Sequence, residues 1–202
     1  MSSTSPESPR RTASRLAERL GAPVILGHYS LPAPLSGRCS CCSDFCAEPG
    51  AHPLGEHEAA SRRPWSMLLP LGSRHDVLDV PLRTGRAGLG YLRLWAVPLE
   101  PVIEQAGRMI FLVEPEGPDD LSGLMIRERL GDPRRGIRYR SEGYQALPPS
   151  NAGTAAEARW VVSPDEAARR RPAAGELLGA LALATHQLQR LTRSPVPIAV
   201  GL

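Results

Sequence analysis

A dense cluster of cysteines constrains this chain more than any other feature of its sequence. All four cysteines of the 202 residues lie in one stretch, Cys39 to Pro53, which reads CSCCSDFCAEPGAHP. Prolines and glycines lie within the stretch and on both sides of it, so we expect a loop without regular secondary structure. Such a loop needs a cross-link, either a disulfide or a metal ion, to hold a defined shape.

The N-terminal sequence favours the metal over the disulfide. Residues 1–15, MSSTSPESPRRTASR, contain no apolar run that could act as a signal peptide, and no later stretch is long enough to cross a membrane. We therefore expect a cytoplasmic protein with no membrane partner. Because the cytosol keeps thiols reduced, clustered cysteines are better interpreted as metal ligands than as disulfides.

The spacing of the cluster suits one tetrahedral metal ion. Cys39, Cys41, Cys46 and His52 form a C-x-C-x4-C-x5-H array. Three thiolates and one imidazole are a typical ligand set for structural Zn²⁺, and four protein ligands leave no open position for catalysis. Cys42 is then a spare cysteine.

Other interpretations of the cluster remain open at this point. The cysteines could be unrelated to one another, form a redox-active pair or hold an iron–sulfur cluster. His28 and His57 are alternatives to His52 as the fourth ligand.

Hydrophobic periodicity predicts an α+β fold. We expect a polar, disordered tail over 1–9 and a single domain over 10–202, with the cysteine loop over 37–55 as a zinc knuckle. Predicted helices cover 10–20, 83–95 and about 173–192, and Ser163 to Glu166 has the pattern of a helix start. Predicted strands cover 23–26, 66–69, 75–80, 108–114, 144–147 and 159–162. This irregular order favours helices packed on a mixed or largely antiparallel sheet.

The last predicted helix carries an apolar stripe that needs a partner. Leu177, Leu181, Ala184, Leu188 and Leu191 follow one another at spacings of three and four. We expect the stripe to pack on the sheet of its own domain. A protein partner or a homodimer through this helix is the alternative.

Four sequence blocks together resemble a known family. They are LAERLGAPVIL (16–26), the cysteine stretch, HDVLDVP (75–81) and GYQALPPS (143–150). They resemble the N-terminal domain of the bifunctional DNA primase/polymerases, the prim-pol branch of the archaeo-eukaryotic primase superfamily. The resemblance implies an RRM-like central sheet, a role in DNA replication, and Cys39, Cys41, Cys46 and His52 as ligands of the knuckle.

The resemblance also implies a catalytic site, which this sequence matches poorly. The family joins nucleotides with two metal ions held by several carboxylates, beginning with an Asp-x-Asp or Asp-x-Glu on one strand. Here Asp79 is followed by Val80 and Pro81, and Asp76 falls on the other face of the strand. The segment 133–141 has no carboxylate for the third acid, and Met109 stands where the family has histidine. We expect Asp79 to be a catalytic remnant, with Mg²⁺ or Mn²⁺ needed only if activity survives.

Arginines dominate the segment that lacks the third acid. Guanidinium groups suit phosphate oxygens, so we expect a surface that binds DNA or nucleotides; its candidate residues are Arg108, Arg134, Arg135, Arg138 and Arg140. A solvated, arginine-rich loop is the simpler alternative. The predicted function is nucleic-acid or nucleotide binding without polymerase activity. The alternatives are an active polymerase with a divergent site and a protein–protein adaptor.

Overall fold

The computed structural model describes residues 9–31, 38–43, 45–47, 50–55, 66–115, 123, 136–150, 158–167 and 172–193. This part of the chain forms three helices and eight strands. In chain order they are α1 (Pro9–Leu20), β1 (Ile25–Gly27), β2 (Ser66–Pro70), β3 (Asp76–Pro81), α2 (Leu82–Leu94), β4 (Val102–Gln105), β5 (Arg108–Val113), β6 (Arg138–Arg140), β7 (Tyr144–Leu147), β8 (Arg159–Val162) and α3 (Ala174–Arg193).

The strands form two sheets, and all of their pairings are antiparallel. A five-stranded sheet has the order β6-β3-β5-β4-β8, and a three-stranded sheet has the order β1-β2-β7. The prediction of an α+β fold with largely antiparallel pairing is confirmed. The division into two sheets was not anticipated, because spacing along the chain does not reveal which strands pair.

The larger sheet lies at the centre of the molecule and is covered on both faces. On one face, Leu78 and Phe111 pack with Leu89 of α2 and Leu181 of α3 in one apolar core. A second core lies on the opposite face. Successive residues of a strand point to opposite faces, so each strand contributes alternately to the two cores.

The second core joins the larger sheet to the smaller one. Val77 and Ile110 pack there with Leu16 of α1, Met67 of β2 and Leu147 of β7. Asp79 lies two residues beyond Val77 on β3 and therefore points to this same face. The smaller sheet and α1 thus border the face that carries the candidate catalytic remnant.

Most predicted elements occur within a few residues of their predicted bounds. The helix α1 begins at Pro9, one residue before the expected boundary, and residues 1–8 of the predicted tail lie outside the described residues. The first strand was predicted at 23–26 and lies at Ile25–Gly27. The strands β4 and β6 were not predicted, because Val102–Gln105 and Arg138–Arg140 are too short to show a clear period.

The predicted helix start after the last strand is a turn in the structure. The backbone N–H of Ser163 donates to the Glu166 carboxylate at 2.9 Å, which is one of the two bonds of a capping box. The Ser163 hydroxyl donates to the same carboxylate at 2.9 Å, whereas the Glu166 N–H donates to the Ser163 carbonyl. The following residues form a turn up to Ala167, and residues 168–171 lie outside the described residues. One bond of the predicted helix start therefore forms, but the described part shows no helix there.

The helix α3 packs on its own domain as expected, except at its last turn. Leu177, Leu181 and Ala184 are buried, whereas Leu191 is 75% exposed. No helix in the described part of the chain combines the length and apolar character needed to cross a membrane.

Candidate metal centre and the Asp79 site

The cysteine loop is attached to β1 and to the residues that follow it. His28 N donates to the carbonyl of His52 at 3.0 Å, and Leu54 N donates to Leu26 O at 3.2 Å. Near the start of the loop, Ser40 N donates to Tyr29 O at 2.9 Å. These bonds hold the first and last candidate ligands on opposite sides of one extended segment.

This arrangement brings four donor atoms together. One ligand atom from each of Cys39, Cys41, Cys46 and His52 lies within 4.8 Å of the others. The sulfur of Cys39 is 3.2 Å from Nε2 of His52 and accepts a bond from the amide of Gly50 at 3.3 Å. Gly50 has φ of +75°, a conformation that favours glycine. The donor set and its spacing fit a metal ion such as zinc.

Neighbouring groups orient the imidazole of His52. Its Nδ1 lies 3.3 Å from the carbonyl of Pro53, so a proton on Nδ1 leaves the Nε2 lone pair directed at the cysteines. The ring of His28 packs against that of His52 with centroids 4.4 Å apart, and His28 Nδ1 lies 3.0 Å from Ser40 Oγ. His28 therefore supports His52 rather than joining the donor group. His57 lies outside the described residues.

Cys42 takes no part in the donor group. Its thiol is exposed and donates to the carbonyl of Ser40 at 3.6 Å, and its φ is +59°. Cys39 and Cys42 have the C-x-x-C spacing of redox pairs, but they do not form a disulfide. The geometry favours a metal site over a redox pair.

The environment of Cys41 favours its thiolate form. Burial acts to raise the pKa of Cys41, but hydrogen bonds from the Ser43 backbone and from the side chains of Cys39 and Cys46 outweigh it and lower the pKa. Because the thiolate is the form that binds metals, this shift suits a ligand.

Asp79 on β3 is held by an arginine of the same sheet. Arg108, at the start of β5, donates from Nε to Asp79 Oδ1 at 2.6 Å. Its Nη2 donates to the backbone carbonyls of Asp79 at 3.0 Å and Gly136 at 2.7 Å. The side chain of Asp79 is only 13% exposed and that of Arg108 only 25%. A guanidinium group fixed by three bonds therefore neutralises this carboxylate.

Further arginines lie beside Asp79 on the edge strand β6. Arg138 is directly opposite Asp79 in the register, and Arg140 is opposite Val77. Arg138 is exposed, and its side chain has no hydrogen bond or ion pair with any described residue. Arg140 is half-buried and donates to Gln145 and to the carbonyl of Tyr144. Arg134 and Arg135 lie outside the described residues.

Asp76 serves the fold rather than a site with Asp79. It is almost fully buried, and its carboxylate accepts bonds from Gly72 N at 3.0 Å and from the hydroxyl of Tyr139. Asp76 and Asp79 are three positions apart on one strand and so point to opposite faces. The two acids do not share an ion.

Comparison with family models agrees with this combination of knuckle and sheet. Residues 13–174 match the model for the bifunctional DNA primase/polymerase N-terminal domain, named Prim-Pol. The chain belongs to the Prim-Pol family. This confirms the resemblance seen in the sequence. Comparisons with curated proteins and with solved structures give no significant match.

The described part of this Prim-Pol chain does not fit the divalent ions of polymerisation. Among the described residues, only the donor group of the knuckle brings three or more Cys, His, Asp or Glu side chains within reach of one ion. No such group of described residues includes Asp79, and its carboxylate is bound to Arg108. We therefore derive no catalytic step through Mg²⁺ or Mn²⁺.

The ion pair between Asp79 and Arg108 is the feature that sequence reasoning missed. Arg108 was considered only as a ligand for nucleic acid. Its contact with Asp79 depends on the pairing of β3 with β5, in which Pro81 lies opposite Arg108. The sequence offers one signal for this contact, namely that Arg108 begins a strand that could pair antiparallel with β3.

Proposed function

We propose that this Prim-Pol protein binds nucleic acid or nucleotides on the Asp79 face of its larger sheet, contains a structural zinc ion and does not polymerise nucleotides. The observation that carries the proposal is the ion pair between Asp79 and Arg108. In the described part of this face, the retained acid is neutralised and the arginines beside it add positive charge.

The loss of polymerase activity follows from charge and ligand number. Two-metal catalysis needs several carboxylates that converge on both ions. An ion at Asp79 would have to displace Arg108, which has three hydrogen bonds, and would meet the positive charge of Arg138 nearby. One neutralised carboxylate cannot offset that cost.

The same charges favour a polyanion. Arg138 is exposed and offers a guanidinium fork that can contact phosphate oxygens. Arg140 and Arg108 supply further positive charge to this face, although both already bond to neighbouring groups. The proposal extends to Arg134 and Arg135, which precede β6 in the sequence. Family membership supports nucleic acid as the ligand.

Zinc is proposed as the ion of the knuckle, and its role is structural. The ligands Cys39, Cys41, Cys46 and His52 would complete a tetrahedron and exclude a reactive water. The RRM-like arrangement of the larger sheet is also part of the proposal. Its antiparallel β3 and β5 strands at the centre are compatible with that arrangement.

Binding and synthesis can be tested on the same preparation. We expect single-stranded DNA to bind with an affinity that falls with salt, and Arg138→Ala to reduce the salt slope by about 0.7 for one lost phosphate contact. Fluorescence anisotropy of labelled DNA measures both quantities. Arg190→Ala is the matched control and should retain the full slope. Arg190 is exposed and lies on α3, on the opposite side of the sheet.

Primer extension with Mg²⁺ or Mn²⁺ should give no template-dependent product. Product that disappears in Asp79→Ala would overturn the proposal and restore the alternative of a divergent, active polymerase. Absence of DNA and nucleotide binding at low salt would overturn its binding component.

An adaptor function is a second candidate because one end of the helical layer is apolar and exposed. Leu94 is 76% exposed and Trp95 49% exposed at the end of α2, and Leu191 is 75% exposed near the end of α3. Leu191→Glu tests this function, because Leu191 is exposed. Leu181 is unsuitable for the test, because it is buried in the core and its substitution would disturb folding. A concentration-dependent oligomer that dissociates in Leu191→Glu would support the adaptor.

A further inference from the structure

A groove lies on the helix side of the larger sheet, away from Asp79. It has a volume of about 420 Å³ and is bounded by α2 on one side and by β4 and β8 on the other. Glu104 is paired with Met109, which is paired in turn with Val80. These residues point to the face opposite Asp79, because side chains alternate along each strand. The groove is therefore separate from the proposed nucleic-acid surface.

A glutamate organises two arginines inside the groove. The side chain of Glu104 is 15% exposed, and it accepts bonds from Arg159 Nη2 at 2.7 Å and from Arg86 Nη2 at 3.1 Å. Burial acts to raise the pKa of Glu104, but the bonds and charges of Arg159 and Arg86 outweigh it and lower the pKa. Glu104 thus stays ionised and holds two guanidinium groups together, one from α2 and one from β8.

A third arginine leaves the groove with excess positive charge. Arg93 lies on α2 and lines the same groove. Its charge interacts with the carboxylate of Glu166, but within the described ranges its guanidinium group forms no hydrogen bond or short ion pair. Three guanidinium groups therefore face two carboxylates, Glu104 inside the groove and Glu166 beside Arg93, and the remaining positive charge favours an anionic ligand.

We propose that this groove binds the phosphate group of a small molecule. Guanidinium groups present paired donors that match phosphate oxygens, and charge-assisted bonds of this kind are among the stronger ones in proteins. Leu89 and Met109 supply an apolar wall for the remainder of the ligand. The volume lies in the range of small-molecule sites.

Gly90 of α2 provides a steric test that leaves the charges unchanged. It lines the groove, and a Cβ at this position would meet no atom within 4 Å. A larger side chain here should project into the groove without disturbing the core. Gly179 of α3 is also exposed with no atom near a Cβ, and it does not line the groove, so it is the matched control.

Isothermal titration of the full chain with pyrophosphate, and separately with a nucleoside diphosphate, tests the proposal. We expect saturable binding with a Kd of about 1 mM or tighter. Arg93→Ala and Arg159→Ala should each weaken it by about tenfold. Gly90→Leu should abolish the binding of pyrophosphate, and Gly179→Leu should leave it unchanged.

The phosphate could belong to a small molecule or to a nucleic-acid backbone. Binding of single-stranded DNA to the same variants distinguishes the two. Unchanged DNA binding in Arg93→Ala assigns the groove to a small molecule, as proposed. DNA binding weakened equally by Arg93→Ala and Gly90→Leu would assign it to a nucleic-acid backbone and overturn the small-molecule ligand. Failure of both phosphate probes to bind, or equal losses in Gly90→Leu and Gly179→Leu, would overturn the site itself.

Discussion

Arg108 shows how one side chain can supply the charge that a largely buried carboxylate needs. A carboxylate on a sheet needs a compensating positive charge when it is largely buried. In a polymerisation site, metal ions supply that charge, whereas here a guanidinium from the neighbouring strand supplies it at 2.6 Å. Asp79 is therefore satisfied by the chain itself, without a metal ion.

The ligand assignment in the knuckle makes a prediction at the same scale. Cys46→Ser removes a ligand and should therefore weaken zinc binding strongly. The loss should exceed the roughly 10- to 100-fold that is typical when a residue bonded to a ligand is substituted. Cys42→Ser is the control and should leave the affinity unchanged, since its thiol lies outside the donor group. Competition with a chromogenic chelator measures both affinities. Equal affinities in the two variants would contradict the assignment.

At the scale of the elements, the glycines of α2 have two different roles. A Cβ on Gly85 would lie 2.5 Å from the Cβ of Met109, and a Cβ on Gly88 would lie 2.7 Å from Cδ2 of Leu181. These two glycines let the helix approach β5 and α3 closely. Gly90 on the exposed side has no such contact. Gly85 and Gly88 are therefore required by the packing of this helix, whereas Gly90 is not.

A matched pair of alanine substitutions tests these roles. Gly85→Ala should destabilise the protein by about 1–3 kcal/mol through overpacking against Met109. The higher helix propensity of alanine offsets part of this loss. Gly90→Ala should stabilise it by up to about 1 kcal/mol, because only the propensity changes. Urea unfolding measures both free energies. Similar effects of the two variants would show that contact with β5 is not what requires Gly85.

At the scale of the whole molecule, the knuckle and the larger sheet are connected through the smaller sheet. The knuckle bonds to the backbone around β1, β1 pairs with β2, and β2 and β7 pack on the larger sheet. Gly27 is a tight point of this connection, since a Cβ there would lie 2.2 Å from Leu68. A metal in the knuckle would thus stabilise the layer that borders the Asp79 face.

Removal of the metal should therefore affect the layers unequally. We expect chelation to speed amide hydrogen exchange in β1 and at residues 38–40 more than in β3 and β5, because only the former depend directly on the loop. Mass spectrometry of exchange with and without chelator measures this difference. Chelator-treated Cys42→Ser should match chelator-treated wild type. Uniform exchange changes across all strands would contradict a local role for the metal.

The sequence by itself determined the features that depend on short separations along the chain. The donor group of the knuckle could be predicted because Cys39 to His52 form a short loop, which costs little entropy to close. The helices and the longer strands followed from hydrophobic periodicity, which reports local geometry. The family could be recognised from such local blocks as well.

Only the tertiary structure decided which distant segments meet. The pairing of β3 with β5 brings Arg108 to Asp79 across 29 positions, and the packing of α2 beside β8 joins Arg86 and Arg159 to Glu104. The separation into two sheets arises in the same way. Such contacts are selected by the burial of whole faces rather than by local propensity, so no short pattern encodes them.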